Sequence, residues 1–138
     1  MINLNLTRPL AFMDIETTGL NARQDRIVEI CVIKIFPDGT EDILNSIINP
    51  EIPIPMESTK IHRITDADVK GKPTFDEFAQ KLTDFIEGCD LGGFGTKFDL
   101  SFLEFEFKRI GKDYSKEGRQ IVDVQRIYHT LEPRDLSA

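Results

Sequence analysis

An α/β fold built on a mixed sheet is predicted by three observations. Residues 10–48 hold three β-rich runs separated by turn signals, the pattern of an antiparallel meander. Two helical stretches follow, and each leads into a short strand-like run, at 91–94 and 120–122. A meander followed by alternating helices and strands gives a sheet that is antiparallel at one side and parallel at the other. The chain has 138 residues, 40% hydrophobic and 30% charged, which fits one domain with a real core and excludes a disordered or fibrous class.

Residues 10–15 read as a buried strand, with Pro9 just before it, where a strand tolerates proline. Residues 26–36 include Ile27, Val28, Ile30, Cys31, Val32, Ile33 and Ile35, too rich in strand formers for a helix. Pro37-Asp38-Gly39 is a hairpin turn, and residues 42–48 return as the third strand. Pro50, Pro53 and Pro55 then enforce an extended connection. Two short helical turns follow, the second capped by Thr65 with Asp68 in its first turn. Thr74-Phe75-Asp76-Glu77 is a capping box that starts a longer helix, and Gly88 closes it. Phe75, Phe78, Ala79, Leu82, Phe85 and Ile86 recur at helical spacing and mark its buried face. A second helix is expected over 99–110, stopped by Gly111, and a last one over 123–130.

The net charge of −7 argues against tight, nonspecific duplex binding, which needs Lys and Arg on phosphate. It does not exclude an enzyme whose positive charge comes from bound metal. The most basic stretch holds Lys108, Arg109, Lys112, Lys116 and Arg119, read as a solvated surface or as a contact for a substrate strand. Cys31 and Cys89 form no CxxC motif and are read as structural thiols in a reducing compartment. No apolar run approaches the ~20 residues that cross a bilayer, and residues 1–6 lack the charged and apolar regions of a secretion signal. A cytoplasmic location without membrane attachment is expected.

The chemistry is concentrated in Phe12-Met13-Asp14-Ile15-Glu16-Thr17-Thr18-Gly19-Leu20. Side chains alternate along a strand, so Asp14 and Glu16 share a face while Ile15 points to the other. Two aligned carboxylates at a strand end, followed by a glycine turn, suit hard divalent cations such as Mg2+ or Mn2+.

Together these residues resemble the DEDD superfamily of 3′–5′ exonucleases on the ribonuclease H-like fold, with the greatest likeness to epsilon-type proofreading subunits of bacterial DNA polymerase III. Asp14 to Leu20 looks like the first motif, D-x-E-T-T-G, and Phe98-Asp99-Leu100-Ser101-Phe102-Leu103 like the second. Glu57 and His62 match the E-x4-H-x-I segment beside the substrate. The resemblance implies two metal ions at Asp14, Glu16 and Asp99, with Asp14 bridging them and Asp99 acting mostly through water. It implies that Thr17, Thr18, Gly19 and Leu20, with Glu57, His62 and Phe98, contact the terminal nucleotide. The implied reaction is phosphodiester hydrolysis at a nucleic-acid 3′ end, releasing nucleoside 5′-monophosphates. The implied partners are single-stranded DNA and a DNA polymerase subunit, although the site reads an end rather than a base code and leaves RNA open.

Two departures from the family are plain. Phe94-Gly95 replaces the His-Asn pair that precedes the second motif, so Phe94 is read as a base-stacking surface or as a core residue, and Lys97 as a new phosphate contact. The third motif, H-x4-D or Y-x3-D, does not occur after Asp99. His129 and Asp135 are one residue too far apart, with Pro133 between them, and Tyr128 is followed at the right spacing by Glu132 rather than Asp. A single exonuclease-like domain over residues 1–138, cut before its last catalytic helix and of low turnover by itself, is therefore expected. The alternative expectation is a catalytically inactive relative that binds nucleic-acid ends or a partner protein.

Overall fold

The computed structural model of the chain describes residues 6–112, 114 and 118–123. Three strands form the expected meander: β1 (Leu10–Thr17), β2 (Ile27–Ile35) and β3 (Glu41–Ile47). The Pro37-Asp38-Gly39 turn closes with the Phe36 N–H on the Thr40 carbonyl, and Asp38 caps it by accepting from the Thr40 N–H and hydroxyl. The proline-rich connection leads to α1 (Met56–His62) and α2 (Asp66–Val69), and Thr65 and Asp68 form a reciprocal capping box on α2. A second capping box, Thr74 with Glu77, starts α3 (Phe75–Ile86). Then come β4 (Asp90–Gly93), α4 (Thr96–Arg109) and β5 (Ile121–Asp123).

The five strands lie in the order β3-β2-β1-β4-β5. β1 pairs antiparallel with β2 and parallel with β4, so it is the seam between the two halves of the sheet. Ala11, Met13 and Ile15 turn into a core shared with Ile30 and Val32 of β2, Phe78, Leu82 and Ile86 of α3, and Phe102 and Leu103 of α4. Phe75 and Phe107 meet edge to face at 5.0 Å and join the two long helices. The intervening residues Phe12, Asp14 and Glu16 are left on the opposite side. A smaller apolar cluster of Val28, Ile54, Ile64 and Val69 seats α1 and α2 against the sheet.

The mixed α/β architecture is as predicted, with two local corrections. α4 begins at Thr96, one turn before the expected start at Asp99, with Gly95 at φ +62 as its N-cap. Asp99 is therefore not a cap but a buried residue inside the first turn. The basic stretch at 108–119 is not uniformly solvated, for Arg109 is exposed and Arg119 half-buried, and both engage the backbone. Arg109 donates to the carbonyls of Ala22 and Arg23, and Arg119 to those of Ile86 and Cys89, so both tie chain segments together. No helix among the described residues is long and apolar enough to cross a membrane. The helix expected over 123–130, with Lys116, Tyr128, His129, Glu132, Pro133 and Asp135, falls outside the described residues, save for Asp123 at the end of β5.

Candidate active site

The register of β1 against β4 creates an opening beside the acidic pair. Phe12 stands opposite Gly92, and β4 ends at Gly93, next to Met13. Asp14 thus lies one residue past the end of its parallel neighbour. The chain turns through Gly95 into α4, and Asp99 comes down into that opening, only 5% exposed. Glycine at 93 is what lets these pieces meet. A Cβ there would stand 2.6 Å from the Met13 carbonyl oxygen and 3.5 Å from Asp99 Oδ2.

The three carboxylates act on one another electrostatically. Burial first, then the charges of Asp14 and Glu16, push the Asp99 carboxyl from its ordinary 3.8 up to about 7. Burial first, and then Asp14, also raise Glu16. Glu29 of β2 stands directly across from Glu16 and adds to the same negative field. Cys31 faces Asp14 across the strand pair, half-buried, and its thiol is pushed up by burial and by that charge. Among the described residues, no three His, Cys, Asp or Glu side chains make a closed metal-binding group. The donors present are hard carboxylate oxygens in a crowded anionic field, a chemistry that suits hard divalent cations.

Beside the acids lies a cleft of ≈ 590 Å³. Glu16, Thr17, Thr18, Gly19, Leu20, Glu57, His62 and Phe98 line it, so seven of the eight expected substrate residues share one wall with Glu16. Leu20 (87% exposed) and Ile61 (80% exposed) present apolar surface at its mouth. Phe94 is the exception. It is 51% exposed rather than a core residue, outside the cleft lining, and packs edge-on against Phe12 at 6.0 Å on the acidic face of β1. Lys97 is exposed in the first turn of α4.

The turn after β1 is held from two sides. On one, His62 Nε2 donates to the Thr17 carbonyl at 3.1 Å while its Nδ1 accepts the Ile64 N–H at 3.1 Å. Those two bonds together require the neutral tautomer with the proton on Nε2. The ring edges the cleft, yet both its nitrogens are engaged in shaping the turn. Ser58 donates to the Thr18 carbonyl at 2.6 Å from the same helix. On the other side, Thr18 and Arg26 exchange backbone and hydroxyl hydrogen bonds, and Asp25 accepts from the Thr18 hydroxyl and the Asn21 N–H. The Asp25 carboxylate occupies the space a side chain at 19 would need, with Oδ2 only 2.4 Å from an ideal Cβ. A side chain there would displace a carboxylate that Thr18 and Asn21 hold, so glycine is favoured by contact and not by backbone angle.

Residues 11–132 match the Exonuclease family. The chain belongs to that family. The likeness to DEDD 3′–5′ exonucleases carried by Asp14–Leu20 and Phe98–Leu103 is borne out. A DNA polymerase III subunit epsilon of Treponema pallidum is 38% identical over 120 residues, spanning 87% of this chain and 55% of that protein. A PolC-type DNA polymerase III of Caldanaerobacter subterraneus subsp. tengcongensis is 37% identical over 119 residues, spanning 86% of this chain and 8% of the polymerase. The chain therefore spans about half of the one relative and less than a tenth of the other. In fold, an E. coli exonuclease I solved with a dT13 oligonucleotide superposes at a TM-score of 0.78 with 18% identity, covering 91% of this chain and 30% of that one. The ribonuclease H-like fold inferred from the sequence is thereby supported. Divalent metal ions are general in this exonuclease family.

Glu29, Asp25, Ser58 and Ile61 were not among the site residues read from sequence. Glu29 had a signal, as a lone acid inside the apolar run of 27–33. The others owe their place to packing between segments far apart in the chain.

Proposed function

We propose that this domain hydrolyses the terminal phosphodiester of a nucleic-acid strand from its 3′ end and releases nucleoside 5′-monophosphates. What supports this reading is the electrostatic influence of Asp14 and Glu16 on the buried Asp99, whose carboxyl is pushed up to about 7, beside a cleft that Glu16 lines. Asp14, Glu16 and Asp99 would hold two Mg2+ or Mn2+ ions, which stabilise the attacking and leaving oxygens of an in-line displacement when bound. The turn at 17–20, fixed by His62, Ser58 and Asp25, receives the terminal sugar and its 3′-hydroxyl, and this contact restricts cleavage to ends. Leu20 and Phe98 pack against the terminal nucleoside, with Glu57 at the cleft wall, and Phe94 stacks on a neighbouring base. Water adds to phosphorus, the ester bond to the penultimate 3′-oxygen breaks, and the proton from water ends on that leaving oxygen.

Single-stranded DNA is the proposed substrate, because one fold neighbour was solved with a dT13 oligonucleotide. A DNA polymerase is the proposed partner, because the named relatives are polymerase III proteins. The test is digestion of a 5′-labelled single-stranded oligonucleotide by the full-length protein with Mg2+ or Mn2+. Stepwise shortening from the 3′ end with release of 5′-monophosphates is expected. Binding of the strand without any shortening would favour the inactive end-binding alternative, and internal cuts would overturn the 3′-end assignment.

A further inference from the structure

Glu106 lies seven residues after Asp99 on α4 and is completely buried. Its Oε1 accepts from Arg26 Nε at 2.9 Å and pairs with the second Arg26 nitrogen at 2.8 Å. Its Oε2 accepts the Ile27 N–H at 2.9 Å. Arg109, one turn later, reaches the same carboxylate at 3.5 Å and donates to the carbonyls of Ala22 and Arg23 at 3.1 and 2.9 Å. A buried ion pair of this kind contributes little net stability compared with apolar packing of equal volume. What two guanidinium nitrogens converging on Oε1, with the Ile27 N–H on Oε2, add is fixed distance and orientation.

Apart from Ser58 on the Thr18 carbonyl and Arg23 over the Phe105 ring, the segment it fixes is held by its own polar contacts and by Arg109. From 18 to 26 only Ala22 packs against the apolar core. Arg26 in turn closes on Thr18, its N–H to the Thr18 hydroxyl at 3.0 Å and its carbonyl to the Thr18 N–H at 2.9 Å, while Asp25 lies against Gly19. A continuous set of polar contacts thus runs from the helix that bears Asp99 to the turn at 17–20.

We propose that Glu106, supported by Arg109, is a positioning residue that sets the terminal-nucleotide turn relative to Asp99. This role rests on the exonuclease reading. It predicts a split between two ligands, because Glu106 acts on the turn and not on the carboxylates.

The test compares wild type, Glu106→Gln and Arg109→Ala in the full-length protein. Affinity for Mn2+ alone is read by electron paramagnetic resonance. Affinity for an oligodeoxythymidylate with a free 3′-hydroxyl, at saturating Mn2+, is read by fluorescence anisotropy. Glu106→Gln should weaken oligonucleotide binding about tenfold and Arg109→Ala about threefold, with Mn2+ affinity held within about twofold in both. Arg109→Ala keeps the Glu106–Arg26 pair, so it carries the test if Glu106→Gln fails to fold. Equal loss of both ligands, tracking a lowered melting temperature, would make the network merely structural and overturn the proposal. Unchanged oligonucleotide affinity in both variants would overturn it too. A wild-type protein that binds Mn2+ but no oligonucleotide would instead remove the exonuclease reading on which the role depends.

Discussion

Replacing Asp99 by Asn should make the metal-free protein more stable at pH 8 and markedly less so at pH 5. Asp99 is 5% exposed, and its carboxyl is pushed from 3.8 up to about 7 by burial and by Asp14 and Glu16. The folded protein therefore holds this proton more tightly than the unfolded chain does. Stability from this group is full below the unfolded value and is lost as pH rises from about 4 through about 7. A displacement of that size represents at most about 4 kcal/mol, and solvent screening at the open side of the site reduces it to about 1–2 kcal/mol. Asn has nearly the same shape and no charge, so it removes the penalty. The expected gain is about 3–6 °C in melting temperature at pH 8 with EDTA, roughly a third of that at pH 5, and it vanishes only below about pH 4. Calorimetry at the two pH values reads both. A variant that is destabilised equally at both would refute the electrostatic account and make Asp99 a structural residue. The same substitution should abolish stabilisation by added Mn2+, so stability and metal binding move in opposite directions.

Other substitutions test the geometry around the acids. Gly93→Ala places a Cβ 2.6 Å from the Met13 carbonyl oxygen, and chemical denaturation should show a loss of about 1–3 kcal/mol together with weaker Mn2+ binding. Removing the ring in His62→Ala frees the Thr17 carbonyl and the Ile64 N–H, so a loss of about 1–2 kcal/mol and weaker oligonucleotide binding are expected, with Mn2+ affinity little changed. Phe94→Ala should weaken single-stranded oligonucleotide binding by about 1–3 kcal/mol, and Phe94→Trp should restore it, as read by anisotropy. Equal binding by both Phe94 variants and wild type would confine that ring to its packing on Phe12.

Local chemistry wrote much of this fold into the sequence. The capping box at Thr74 appears as expected, and the Thr65 cap proves to be a second box closed by Asp68. The strands of the meander match within one or two residues, because alternation and the Pro37-Asp38-Gly39 turn are short-range signals. The start of α4 was less legible. Gly92, Gly93 and Gly95 made 91–94 look like a loose strand, and Gly95 begins the helix with no side-chain cap to announce it. Of the proposed site, Asp14, Glu16 and Asp99 could be named because motif spacing carries them. Glu106, Arg26 and Asp25 could not, because their meaning lies in contacts between segments some 80 residues apart, or across a loop whose path the sequence does not state. His62 falls between the two cases. Its position beside the cleft was legible, but the tautomer set by Thr17 and Ile64 was not.

The most direct measurement of the central claim is Mn2+ titration of the wild-type protein and Asp14→Asn, followed by electron paramagnetic resonance. Asp14, Glu16 and Asp99 acting as one seat predicts saturable Mn2+ binding in wild type, competed by Mg2+ and lost in Asp14→Asn while the fold is retained. Mn2+ binding that survives Asp14→Asn undiminished would contradict it.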